Sequence, residues 1–245
     1  MKTDATRSAA VAPALLTRRR ALGHIVVAGV AAGGLIAPGT LQATEPGSAD
    51  TALPPIHTPA DALRELANGN QRFAEGRTIG PNRGMVRAKD VALQQAPFAA
   101  VLSCADSRVP VEILFDQGIG DLFVCRVAGN VVTPELVASL EFGTLVLGAK
   151  ALIVLGHTSC GAVAATVQAK PVPGQISVLY RHIQPAVERA GAAGVEAVVR
   201  ENVRVQVRLL TSASPVIAEL VREGRLVVSG GIYDLGTGRV TLLES

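Results

Sequence analysis

"ALIVLGHTSCGA", residues 151–162, is the stretch that decides the fold. Ala151 to Gly156 run without polar alternation, the pattern of a strand covered on both faces rather than one with a wet side. His157 and Cys160 follow at once, and the chain then turns small and helical from Gly161. Doubly covered strands belong to parallel sheets layered between helices. In such open sheets ligands bind beyond the carboxyl ends of the strands, where the winding direction reverses.

Outward from this stretch the same signal recurs. "FAAVLS" (98–103), "DLFVCRVA" (121–128) and "RLVVSGGIYD" (225–234) read as further strands buried on both faces. Helical segments separate them. Thr58 with Pro59 and Asp61 gives an N-cap, a proline in the first turn and an acid beside the positive end of the helix dipole, so a helix is predicted from about Pro59 to Glu75 with Leu63, Leu66 and Phe73 on one face. A shorter helix is expected around Met85 to Gln95. Thr133-Pro134-Glu135 opens another that reaches about Gly148, one more follows Ser159, and three amphipathic stretches fill 175–223. "RVTLLE" (239–244) comes only a tight turn after the last long strand and reads as an antiparallel edge. The expected fold class is α/β: a mainly parallel central sheet of four strands plus an antiparallel edge strand, flanked by helices.

A second chemistry-rich turn supports the same geometry. "SCADSRVP" (103–110) places Cys104, Asp106 and Arg108 directly after the first strand, just as His157 and Cys160 follow the third. If those strands are neighbours, two thiols and an imidazole meet at one point. That set suits Zn²⁺ and leaves a fourth tetrahedral position open for water or a carboxylate. Cys160, at the start of a helix, gains thiolate character from the free N–H groups there. Two thiolates balance the ion, so Asp106 needs another cation, and Arg108 is two residues away. The competing reading is an inert buried cysteine pair beside a hydrogen-bonded core histidine. Cys125, in mid-strand without polar company, reads as a core thiol. His24, His57 and His182 have no ligand partners nearby in sequence and read as ordinary polar residues.

The chain has 245 residues, 49% of them hydrophobic, enough for one substantial core. Its formal charge is +3, but five of the 23 basic residues and only one of the 20 acids precede residue 44, leaving 18 bases against 19 acids. With 3% aromatic residues as well, the remainder has neither the charge stripe nor the stacking surface of a nucleic-acid binder. The early bases have their own reading: "TRRRALG" (17–23), an uncharged apolar run from Ala21 to Ala37, then "LQA" ending at Ala43, the pattern of a twin-arginine export signal. Gly29, Gly33, Gly34 and Pro38 interrupt the run, which falls short of the ~20 residues of a membrane span. An uncleaved anchor is the alternative. Residues 1–43 are thus expected to be a signal, 44–57 a Pro-rich linker and 58–245 the zinc domain. The expected location is periplasmic or extracellular, with no stable membrane association once the signal is removed. Three cysteines, an odd number, argue against a disulfide scaffold.

"CADSR" (104–108), "DLFVCRVAGN" (121–130) and "SLEFGTLVLGAKALIVLGHTSCGA" (139–162) together resemble the signature blocks of the β-class carbonic anhydrases, over roughly residues 60 to 240. The resemblance implies that Cys104, His157 and Cys160 bind one zinc per chain and that Asp106 and Arg108 form a carboxylate and guanidinium dyad beside it. It implies reversible hydration of carbon dioxide by attack of zinc-bound hydroxide. Gln95, nine residues before Cys104, matches a glutamine that hydrogen-bonds substrate, and Phe123 and Phe142 match aromatic pocket positions. Val127 and Phe142 depart from the family's usual Asn and Tyr. An inhibitory bicarbonate pocket of Trp, Arg and Tyr is matched by Arg126 and Tyr233, but Val101 stands at the tryptophan position, which favours an open site with water as fourth ligand. The family also implies a homodimer or higher even-numbered oligomer with sites at the interface. Two alternatives stay open: a carbon disulfide or carbonyl sulfide hydrolase on the same scaffold, and a non-catalytic zinc-stapled module.

Overall fold

The computed structural model describes residues 53–243. The export signal expected over 1–43, with His24, and most of the expected linker lie outside the described residues. Residues 53–57 carry no regular secondary structure before α1 (Pro59–Ala74) begins at a complete capping box. The Thr58 hydroxyl accepts from the Asp61 N–H at 3.1 Å, while the Asp61 carboxylate accepts from the Thr58 N–H at 2.9 Å.

In chain order there follow α2 (Met85–Asp90), β1 (Ala99–Ser103), α3 (Val111–Leu114), β2 (Leu122–Arg126), α4 (Pro134–Glu141), β3 (Ala151–His157), α5 (Gly161–Val167), α6 (Val178–Ala190), α7 (Val195–Ala213), α8 (Pro215–Arg222), β4 (Val227–Tyr233) and β5 (Val240–Leu243). The strands form one sheet in the order β2-β1-β3-β4-β5, parallel throughout except for the antiparallel β4–β5 pair. This is the expected fold class. The order places β1 beside β3, with Ser103 opposite Leu155, so the turns after both strands leave the same edge side by side.

Each strand residue chooses a layer by its pleat. Ala100 and Leu102 join Leu152 and Val154 under α6, α7 and α8, whereas Ala99 and Val101 join Ile153 and Leu155 against α1 and α3. Each fully buried Leu or Ile in these layers contributes roughly 1.5–3 kcal/mol. Helix α7 comes unusually near the sheet. A Cβ added at Gly156 or at Gly230 would lie 2.6 Å from a methyl of Val203, so the two glycines on β3 and β4 form the slot that seats this side chain.

Three expectations need correction. Helix α2 stops at Asp90 rather than Gln95, because it buries no residue and Pro97 draws the chain into an extended approach to β1. The helix expected to reach Gly148 is α-helical only to Glu141 and continues as a π-helical turn over Phe142–Val146. There Gly143 lies flat on Phe123, where a Cβ would come 2.7 Å from the ring. Finally, β1 and β3 are buried along their whole length, but β2 is the sheet's edge and Leu122, Phe123 and Val124 are only half-buried, as are Val227, Val228 and Ser229 at the start of β4. Among the described residues no helix is long and apolar enough to cross a membrane.

Candidate metal centre

Cys104 directly follows β1, His157 is the last residue of β3, and Cys160 caps the amino end of α5. All three are buried, and their ligand atoms lie within 4.8 Å of one another. His157 Nδ1–H donates to the Thr158 carbonyl at 2.9 Å, which puts the ring's lone pair on Nε2. That Nε2 is fully buried and has no hydrogen-bond partner. A buried acceptor aimed at two sulfurs is costly unless something electropositive satisfies it.

The thiols make the same demand. The Cys160 thiol and His157, with the Gly129 and Asp106 backbone N–H groups, drive Cys104 well below the usual thiol range. The Gly129 N–H lies 3.3 Å from its sulfur. Cys160 is pushed up by hydrogen bonding to the Cys104 thiolate and by burial, although the Val163 and Ala162 amides at the start of α5 favour its anion. The helix start thus favours the Cys160 anion, as the sequence suggests, while the neighbouring Cys104 thiolate opposes it. The pair loses one proton readily and the second only beside a cation. Burial disfavours charge on His157, but the Cys104 thiolate outweighs it and raises its pKa. Two sulfurs and one imidazole nitrogen around an unsatisfied point fit zinc.

Asp106 stands beside this cluster, its Oδ2 3.9 Å from His157 Nε2. Arg108 holds both carboxylate oxygens, Nε to Oδ1 at 2.9 Å and Nη2 to Oδ2 at 2.8 Å, and its backbone N–H adds a third bond to Oδ1 at 3.0 Å. The guanidinium keeps the Asp106 carboxyl far below the usual carboxylate range. Arg108 Nη2 also reaches the Ser159 carbonyl at 3.4 Å, which ties the two ligand-bearing turns together. Arg126 donates to the carbonyls of Cys104 at 3.0 Å and Asp106 at 2.6 Å, so it braces the first turn. Val101 is fully buried in the α1-side core with Tyr233.

Three expected site residues are not brought to the cluster within one chain. Gln95 is exposed in the segment before β1, at the opposite end of the strand from Cys104. Phe123 pairs in register with Ala100, four residues short of Cys104, or ~13 Å along a strand. Phe142 packs on Phe123 with ring centroids 6.4 Å apart and is itself 46% exposed. Cys125 is buried without polar partners, and burial raises its pKa, as a core thiol should behave.

A carbonic anhydrase family model matches residues 99–240, more than half of the chain. The chain belongs to the β-carbonic anhydrase family. It is 37% identical over 195 residues to a carbonic anhydrase of Mycolicibacterium smegmatis, covering 77% of this chain and 95% of that one, and 36% identical over 197 residues to carbonic anhydrase 2 of Mycobacterium tuberculosis, covering 78% and 95%. Among solved structures it resembles the Coccomyxa β-carbonic anhydrase in complex with acetazolamide, with 30% identity, a TM-score of 0.59 and coverage of 74% and 86%. A β-carbonic anhydrase of Aspergillus fumigatus gives 28%, 0.60, 76% and 90%. The β-carbonic anhydrase reaction, reversible hydration of carbon dioxide to bicarbonate and a proton, is therefore this enzyme's reaction, and zinc is its metal.

Sequence reading missed the parts that hold the ligands in place. Thr158 Oγ1 accepts from the Leu235 N–H at 3.1 Å, and Glu196 on α7 accepts from the Ser159 N–H at 2.9 Å, so the His157–Cys160 turn is held from two sides. Gly129, donor to Cys104, has φ +77°, and a Cβ there would meet Ile183 Cδ1 at 2.8 Å. Only glycine fits. Asn202 and Gln206, two amides four residues apart on the apolar face of α7, were the available signal for this support.

Proposed function

We propose that Cys104, His157 and Cys160 hold the catalytic zinc and that Asp106 and Arg108 organise the substrate side of it. The convergence of three soft ligand atoms within 4.8 Å around the unpartnered His157 Nε2 carries this assignment. Zinc held there supplies a Lewis acid that brings the ionisation of water toward neutral pH. The chain's own contribution is placement. His157 presents Nε2 because the Thr158 carbonyl takes the other ring proton. Asp106, fully ionised, is an acceptor for a proton-bearing nucleophile arriving beside His157. Arg108 fixes that acceptor in direction by bonding both of its oxygens.

Gln95, Phe123 and Phe142 act in the site of a second copy in this reading. Each is too far from its own cluster or exposed, and Phe142, Leu145 and Val146 present exposed apolar surface beside the β2 edge. Solved relatives include two described as tetrameric, from Sordaria macrospora. A homodimer is the smallest assembly that completes the pocket. The first 43 residues are proposed to direct export of the folded enzyme, on the strength of Arg18, Arg19 and Arg20 ahead of the interrupted apolar run.

Stopped-flow measurement of carbon dioxide hydration, with zinc quantified on the same samples, tests the assignment. Wild-type protein should be active with one zinc per chain. Full zinc and activity in Cys104→Ala would overturn it.

A further inference from the structure

Helix α7 carries a polar pair where its other sheet-facing residues are apolar. Asn202 and Gln206 are 1% and 0% exposed, among Val198, Val199, Val203 and Leu210. Buried amides are costly unless every group is paired, and these are paired in one direction. Asn202 Nδ2 donates to the Gly129 carbonyl at 2.9 Å, and its Oδ1 accepts from Gln206 Nε2 at 3.1 Å. Gln206 Nε2 also donates to the His182 carbonyl at 3.2 Å, and its Oε1 accepts from the Val132 N–H at 2.9 Å. The four bonds fix the orientation of both amides, since flipping either one would set donor against donor or acceptor against acceptor.

The loop they hold is the one that faces Cys104. Gly129 and Asn130 both have positive φ, at +77° and +44°, a conformation with little intrinsic preference behind it. In this loop the Gly129 N–H points at the Cys104 sulfur while the Gly129 carbonyl points at Asn202. We infer that Asn202, anchored by Gln206, is a positioning residue for the metal centre: it holds Gly129 so that its N–H stays on the Cys104 sulfur. An amide donor on a thiolate disperses its charge and fixes the lone pair it offers to a metal. The same helix holds the His157–Cys160 turn through Glu196 and Ser159, so α7 supports both that turn and the loop that faces Cys104.

The inference rests on Cys104 being a zinc ligand, and the test separates the two. Full-length zinc-loaded enzyme is compared as wild type, Asn202→Leu and Gln206→Met, each near-isosteric and lacking the amide bonds. Leu210→Ala is the control: it loosens the same helix one turn on without touching Gly129. Zinc affinity is read by chelator competition, and the Gly129 amide by hydrogen exchange in ¹⁵N-labelled protein. Asn202→Leu should weaken zinc about tenfold or more and expose the Gly129 amide to exchange, with Gln206→Met moving both in the same direction. Leu210→Ala should lower thermal stability and leave both readings near wild type. Each variant is read independently, so one that fails to fold leaves the other as the test. Wild-type zinc affinity in a folded Asn202→Leu, or an equal loss in Leu210→Ala, overturns the positioning role while the ligand assignment stands. Zinc affinity in Cys104→Ala equal to wild type overturns the ligand assignment itself.

Discussion

Asp106 Oδ2 lies 3.9 Å from His157 Nε2, and the same oxygen accepts a 2.8 Å hydrogen bond from Arg108. The carboxylate therefore stands close to the point on which the zinc ligands converge, yet it is tethered by three hydrogen bonds from a single residue. At a distance of about 4 Å an opposite charge competes strongly in a partly buried site, so the identity of the nearest cation decides where this carboxylate rests. Ligand turn and dyad are one device, because Arg108 also touches Ser159 between His157 and Cys160.

Cys160→Ala should cut zinc content well below one per chain and abolish most carbon dioxide hydration, since two remaining ligands hold the ion weakly. Atomic absorption on dialysed protein measures the first and stopped-flow the second. Partial occupancy is compatible with the assignment; full occupancy after dialysis is not.

Gly230→Ala places a methyl where the nearest atom, Val203 Cγ1, is 2.6 Å away, and should destabilise the fold by about 1–3 kcal/mol through overpacking. Because one side chain causes the clash, Val203→Ala in the same chain should recover part of the loss, giving a coupling of opposite sign to simple addition. Urea unfolding of both single variants and the double variant measures it. Strict additivity would show that α7 rides over this slot without gripping it.

The architecture was legible because its strongest signals are local: an uninterrupted apolar run such as Ala151–Leu155 has few other solutions, and Thr58-Pro59 with Asp61 writes a helix start directly. The ligands were legible for a related reason, since Cys104 and His157 need only two neighbouring parallel strands to meet. What stayed hidden depends on distance in sequence. Nothing near Gly129 announces that its carbonyl will be held by Asn202, 73 residues on. The half-burial of β2 follows from its place at the edge of the sheet, which apolarity alone does not reveal. Gln95, Phe123 and Phe142 were placed in the pocket by resemblance, and within one chain they lie away from the cluster because they sit before β1, on the edge strand β2 and on the turn packed against it.

Asp61 gives the amino end of α1 a measurable acid sensitivity. The Thr58 side-chain and backbone bonds lower its pKa from 3.8 to about 2. A carboxyl depressed on folding adds stability that is complete above its unfolded value and disappears as pH falls through the folded one. The contribution should therefore fade between about pH 4 and pH 2. Asp61→Asn should remove that part of the acid limb in a circular dichroism titration, leaving the neutral-pH spectrum intact.

Removing residues 1–43 should leave a folded, zinc-loaded and active enzyme, because the family match begins at Ala99 and all of the ligand turns lie beyond the excised segment. The shortened protein should also fail to leave the cytoplasm, while Arg18→Lys with Arg19→Lys and Arg20→Lys in the full chain should retain the protein there without lowering its specific activity. Fractionation of expressing cells measures the first effect and hydration assays the second. Loss of zinc on truncation would make the segment structural.

Arg108→Ala removes every side-chain bond that holds Asp106 away from His157 Nε2. The backbone bond to Oδ1 remains, but it leaves Oδ2 free to turn, and the carboxylate then faces the zinc site with no competing cation. An anionic ligand gained in this way should hold zinc at least as well as before, while it takes the open position that catalysis needs. The expected signature is thus a dissociation: carbon dioxide hydration falls by about 100-fold or more, on the scale of losing one preorganised electrostatic partner, and zinc content after dialysis stays level or rises. Arg108→Lys should recover part of the activity, because an ammonium can pair with one carboxylate oxygen but cannot hold both. Arg108→Ala combined with Asp106→Ala should reopen the site and bind zinc like wild type, yet remain slow for want of the acceptor. Zinc loss in the single variant, or a hydration rate near wild type, would make Arg108 an ordinary ion-pair partner whose absence the site tolerates.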